Sequence, residues 1–280
     1  MEASIGACAD QRAPAPEERK SFVDISTIIG PIVAIGLIIL GMIMEGGHIQ
    51  SIIQLTALII VGGGTLGAVL ASFPLDHTIQ ALKALKVCLT PPKSDHEKVI
   101  AELTELCQFA RKNGIMALES KAKAHPDPFT RKGLTLVVDG IDPAMLLSIM
   151  ETELETFEEH SKIPIPVMEG AGAYAPTIGI IGAVLGLIHV MSNLDDPSKL
   201  GGGIATAFVA TIYGLTIANV IALPLASKYK IRVAQMVHEK NMILQGLVAL
   251  QNGENPHFLG QRLRAFLPGG GHGGGKEGAH

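Results

Sequence analysis

Four stretches of this sequence contain no Asp, Glu, Lys or Arg: Ile25–Met44, Ile49–Phe73, Gly170–Met191 and Leu200–Ala226, of 20, 25, 22 and 27 residues. A helix needs about 20 apolar residues to cross a hydrocarbon layer, so each of the four is long enough to span a membrane. Charged residues make up 17% of the chain, against roughly 25% in ordinary soluble domains. These figures argue against a soluble single-domain enzyme. With 22 Lys and Arg against 26 Asp and Glu, the net charge of −4 argues equally against a basic nucleic-acid binder.

The apolar stretches come as two pairs with short links, 45–48 and 192–199, and a polar segment of 96 residues (74–169) separates the pairs. The expected fold is an all-α integral membrane protein: four transmembrane helices with a large helical cytoplasmic loop between spans two and three. Orientation follows from the basic residues, because Lys and Arg accumulate on the cytoplasmic side. Only Lys199 lies on one side; the other 21 basic residues lie on the opposite one, several of them flanking the spans (Arg19, Lys20, Lys83, Lys86, Lys162, Lys228, Lys230, Arg232). Both termini and the loop are therefore expected in the cytoplasm of a cell with an inner membrane. The organisation reads as a disordered leader (1–24), a first hairpin (25–73), the cytoplasmic loop domain (74–169), a second hairpin (170–226) and a tail (227–280) that is Gly/His-rich from Pro268. The leader does not have the form of a cleavable signal peptide, since the apolar run after it is of span length.

Within the loop, Ser94 and Glu97 form a capping box that opens a helix ending at Gly114. A short helix is expected around Met116–Ala124. Asp142 followed by Pro143 starts another that runs to about Ser161. The spans carry stripes of small residues: Gly172, Pro176, Gly179, Ala183 and Gly186 in the third, Gly203, Ala207, Thr211, Gly214 and Ala218 in the fourth, and Gly63, Gly67 and Ala71 in the second. Small residues let helices approach closely in lipid, where no hydrophobic drive joins them. Two adjacent striped helices lead us to expect contact with a neighbouring subunit or partner helix.

The chemistry available in the spans is limited to Thr56, Thr65, Tyr174, Thr177, His189, Thr206, Thr211, Tyr213, Thr216 and Asn219. None is a carboxylate or an amine. Passage of a proton or cation through a bilayer ordinarily uses an ionisable group at depth. Either the chain moves no ions, or a second polypeptide brings the acid. Cys8, Cys88 and Cys107 show no metal-type spacing, and no nucleophile triad or phosphate-binding loop is present, so neither a cofactor nor a metal nor enzymatic activity is expected.

Several segments resemble a known family. Gly170–Ile188 (GAGAYAPTIGIIGAVLGLI), Ser192–Pro197 (SNLDDP), Ala210–Gly214 (ATIYG) and Ala218–Asn219 are similar to the third and fourth spans of the flagellar motor stator A subunits, MotA/PomA. Phe109–Glu119 (FARKNGIMALE), Val138–Gly140 and Glu151–His160 are similar to the loop of that family. The resemblance covers about residues 24–265. It implies a ring of five A subunits around two MotB-type B subunits, with a B-subunit Asp carrying the ion. It also implies that the ring turns against a rotor switch-complex protein of the FliG type. Carried over by position, Pro176, Thr177, Ala183, Thr211, Tyr213 and Pro224 belong to the ion path, and Arg111, Lys112, Glu119 and Glu153 to torque transmission. Sodium-type members tend to carry Thr at Ala183 and Asp at Gln54, which makes protons the expected ion, with sodium the alternative. An energiser of the ExbB/TolQ type is the other alternative; those relatives have three spans.

Overall fold

The computed structural model describes residues 24–90, 95–195 and 197–267, with backbone alone at 197–199. The expected leader, except Asp24, and the Gly/His-rich tail lie outside them, as do Cys8 and Ser94. Among the described residues all regular structure is helical, and four helical segments are long and apolar enough to cross a membrane.

Span 1 is α1 (Ile25–Met44), opened by Asp24, whose carboxylate accepts the Ser26 N–H. Span 2 is composite: α2 (Leu55–Leu58), a π-helical segment Ile59–Gly63 and α3 (Gly64–Ser72). Between them and the head stands α4 (Leu75–Leu89), set off from α3 by Pro74. The head continues with α5 (His96–Asn113), α6 (Glu119–Ala124), α7 (Pro128–Val138) and α8 (Pro143–Lys162). Span 3 lies in α9 (Pro164–Met191), which follows α8 almost without a break; span 4 is α10 (Pro197–Thr216), a second π segment Ile217–Ala222 and the start of α11 (Leu223–Gln251). The second π segment has a local cause. Leu223 N–H bonds the Ala218 carbonyl, five residues back, immediately before Pro224, which has no N–H with which to continue an α-ladder.

The most extensive helix contact among the described residues is that of α9 with α10, and the small-residue stripes make it. The third-span and fourth-span stripes pack against each other within one chain. The buried face of α9 is Gly172, Ala175, Gly179, Gly182 and Gly186; that of α10 includes Gly203, Ala207, Ala210 and Gly214. A Cβ at Gly214 would stand 2.5 Å from the Ala175 carbonyl oxygen, and one at Gly186 would stand 2.8 Å from the Ala207 nitrogen. Backbone meets backbone, which only glycine permits. By contrast, Gly63, Gly67 and Ala71 of span 2 are exposed, with open space at both glycines.

The head has a conventional apolar core. Leu103, Leu118, Leu134, Leu146, Met150, Met242, Leu247, Leu250, Leu259 and Leu263 are all at most 2% exposed. They come from α5 to α8 on one side and from α11 and α12 (Pro256–Arg264) on the other. Loop and tail, separate in the sequence, therefore share one core. At about 1.5 Å per residue, the 29 residues of α11 reach from the bilayer into the head. The α5 cap is also a correction: Asp95, one residue after Ser94, accepts the Lys98 N–H. Two helices that the sequence reading passed over, α7 and α12, start with the same signature as α8. Asp127-Pro128 and Asn255-Pro256 cap them, the side chains accepting from Thr130 and His257 N–H.

Candidate functional site

The α9/α10 seam gathers most of the residues expected on an ion path. Pro176 and Ala183, seven residues apart, lie on the half-buried flank of the α9 face whose centre is Gly179. Thr211 lies opposite, its Cα 3.4 Å from where a Gly179 Cβ would be. The Thr211 hydroxyl donates to the Ala207 carbonyl at 3.3 Å, a helix back-bond that competes weakly with other partners. Thr177 is exposed and donates to the Tyr174 carbonyl at 2.8 Å. Pro224 is exposed at the head end of the seam, where its neighbour Leu223 packs on Gly172.

Tyr213 is not part of this group. Two residues beyond Thr211, it sits on the flank of α10 away from that threonine and turns to span 2, where its hydroxyl donates to the Ile52 carbonyl at 2.6 Å and accepts the Gln54 N–H at 3.2 Å. Among the described residues, Thr65 Oγ1 and Gln251 Oε1 are the buried side-chain polar atoms without a hydrogen-bond partner. No carboxylate lies within the four charge-free stretches; their one imidazole, His189, stands at the end of α9 away from the head, its ring beside Gly203 of α10.

Asp24 marks the head end of span 1 with a clasp that sequence reasoning missed. Its carboxylate pairs with Arg232 at 2.6 Å and with Lys228 at 3.0 Å. The Ser26 hydroxyl and these two cations hold its carboxyl far below the usual carboxylate range. Above this clasp α1 is almost bare, with Thr27 its buried residue. An acid immediately before a span, with two cations four residues apart after another, was the available signal.

In the head, Arg111 and Lys112 end α5, and Glu119 begins α6. Gly114, at φ 86°, and the 3-10 turn Ile115–Leu118 join them. Leu118 is fully buried and pins this corner to the core, while Arg111, Lys112 and Glu119 stay exposed. Glu119 bonds Lys123 at 2.6 Å, which holds its carboxyl below the ordinary value. Glu153 is engaged elsewhere: Lys132 of α7 meets it at 2.5 Å. Behind the corner, His125 Nε2 lies 2.9 Å from Glu102 Oε1. That bond raises the histidine and lowers the glutamate relative to their ordinary values.

Comparison with known proteins gives this geometry its relatives. Residues 28–114 match the motility protein A N-terminal family and residues 121–242 the MotA/TolQ/ExbB proton channel family. Motility protein A of Helicobacter pylori is 35% identical over 245 residues, 88% of this chain and 95% of that protein. The chain belongs to the motility protein A family. Chemotaxis protein PomA of Vibrio alginolyticus is 30% identical over 245 residues, covering 88% of this chain and 96% of that one. Among solved structures, C. jejuni MotAB superposes with a TM-score of 0.83 at 32% identity, over 88% of this chain and 96% of that one. The flagellar MotAB stator complex of Bacillus subtilis does so with a TM-score of 0.82 at 32% identity, over 88% and 97%. The match to the N-terminal family and the four-span architecture set the chain with the motility proteins within that wider family.

Proposed function

We propose that this chain is the A subunit of a flagellar motor stator, which with a MotB-type B subunit converts proton flow into rotation. The observation that carries the reading is the absence of any carboxylate from spans otherwise built for close packing. Such a bundle needs a titrating group from outside, and an Asp on a span of the B subunit supplies it. Membership of the motility protein A family makes that companion the natural source.

In this reading five copies surround two B subunits in the inner membrane, in contact with lipid, with both termini and the head in the cytoplasm. The α9/α10 seam, with Pro176, Thr177, Ala183, Thr211 and Pro224, lines the route of the ion, and Tyr213 supports it from behind. Ala183 offers no side-chain oxygen to replace a hard cation's water, which favours protons over sodium. Arg111, Lys112 and Glu119 present the charges on which a FliG-type rotor protein is pushed. Glu153, tied to Lys132, braces α8 against α7. An ExbB/TolQ-type role is disfavoured by the fourth span.

Charge reversal at both Arg111 and Glu119 tests the rotor assignment. It is expected to abolish or strongly impair swimming while leaving membrane insertion and proton flux through the assembled complex intact. Full swimming in the double reversal would refute it.

A further inference from the structure

Span 2 starts with a break that its own sequence does not demand. The 3-10 turn Ile49–Ile52 is followed by two extended residues, Ile53 (φ −93°, ψ 98°) and Gln54 (φ −132°, ψ 111°), before α2 begins at Leu55. No Gly or Pro lies between Ile49 and Val61, so nothing local prevents a continuous helix. Broken backbone within hydrocarbon persists only where protein or water satisfies its polar groups.

Here span 4 satisfies them. One hydroxyl, that of Tyr213, donates to the Ile52 carbonyl at 2.6 Å and accepts the Gln54 N–H at 3.2 Å. Thr206 Oγ1 lies 2.5 Å from Gln54 Oε1. Thr206 and Tyr213 are seven residues apart and share a face of α10. Around them Ala57, Val61, Val209 and Ala210 are at most 4% exposed, with Ile52 and Tyr213 packed against them. Tyr213 stands 13 residues beyond Leu200, the first residue of its charge-free stretch, roughly 20 Å along the helix. The break thus lies beside the middle of span 4's charge-free stretch and inside span 2's own, five residues after it begins at Ile49.

We infer that Tyr213 is a positioning residue for ion-driven rotation: with the Thr206–Gln54 contact, its hydroxyl fastens the broken start of span 2 to the flank of α10, so that the two spans move as one body when the seam on the adjoining face of α10 is loaded. This inference rests on the stator reading. It asks of Tyr213 no contact with the ion, since Thr211, not Tyr213, faces α9. The extended pair Ile53–Gln54 exists because this clasp holds it; released, it has no reason to keep its shape.

The test uses the full complex with its B subunit in membranes and compares Tyr213→Phe, Gln54→Ala and the parent chain. Two quantities are read: hydrogen exchange at the Gln54 amide, and proton flux per assembled complex. Tyr213→Phe removes both backbone contacts, so exchange at Gln54 should rise at least tenfold and flux per complex fall several-fold. Gln54→Ala keeps the backbone bond to Tyr213 and loses only the Thr206 contact, so its flux should fall less. Unchanged flux per complex in Tyr213→Phe overturns the inference, even if the amount of complex falls, because a merely structural clasp would lower abundance and not turnover. Should that variant fail to accumulate, Thr206→Val decides on the same readouts, and parental flux there overturns the inference. A parent complex that passes no protons overturns the stator reading and this inference together, whereas parental flux retained in the variants overturns this inference alone.

Discussion

Between α9 and α10 the chain packs glycine against backbone, whereas in the head it packs leucine and methionine against one another. The membrane half gains its contacts by removing side chains; the head gains them by burying large ones. The difference follows from the solvent. Water drives apolar side chains together in the head, but lipid tails give helices no such drive, so close approach and dispersion must serve instead. The polar groups divide the same way. In the spans Thr177, Thr211 and Tyr213 donate to backbone carbonyls, whereas among the described residues the ion pairs, such as His125–Glu102 and Lys132–Glu153, lie outside the charge-free stretches.

Substitution at Gly214 should break the membrane half most completely. A Cβ there meets the Ala175 carbonyl at 2.5 Å and the Gly179 Cα at 3.2 Å, both backbone. Gly214→Val is therefore expected to abolish assembly and swimming. Gly67→Ala, with open space around it in the chain, should leave both unchanged. Membrane abundance and motility of the two variants decide whether glycine matters by position or merely by type.

The head should respond gradually. Leu247 is fully buried, and Leu247→Ala is expected to cost about 2–5 kcal/mol, read as a lowered unfolding temperature of the head, while the α9/α10 seam remains formed. Smaller still is the effect of pH at the α5/α6 corner. His125 titrates above its ordinary 6.5 in the folded chain, so its contribution is complete below that pH and is lost as pH rises through the raised value. Glu102 moves the opposite way, and its contribution fades only as pH falls through a value below 4.5. Head stability should thus decline as pH rises above 6.5 through the raised histidine value, by about 1 kcal/mol for a half-exposed charged bond. His125→Gln should flatten that slope, and an unaltered slope would assign it to another group.

How much of this was legible depended on which physical signal each element left. Charge-free runs of span length gave the four spans, and Asp142-Pro143 gave the start of α8, because burial in lipid and helix capping both write themselves into single residues. Asp127-Pro128 and Asn255-Pro256 carry the same cap signature yet were passed over, since the runs behind them are short. The two π segments were invisible: one extra residue per turn leaves composition unchanged. The small-residue stripes were legible as surfaces but not as pairs, because a stripe records close approach and not the identity of the helix that approaches. Likewise Tyr213 looked like a path residue beside Thr211, although a two-residue step on a helix carries it to the other side.

Proton flux into liposomes containing this polypeptide alone, measured beside flux with a B subunit bearing an intramembrane Asp, tests the borrowed-acid account most directly. The account predicts an impermeable bilayer for the first and protonophore-like dissipation of a pH gradient for the second, lost again when that Asp becomes Asn. Selective proton leakage through the chain by itself would contradict it.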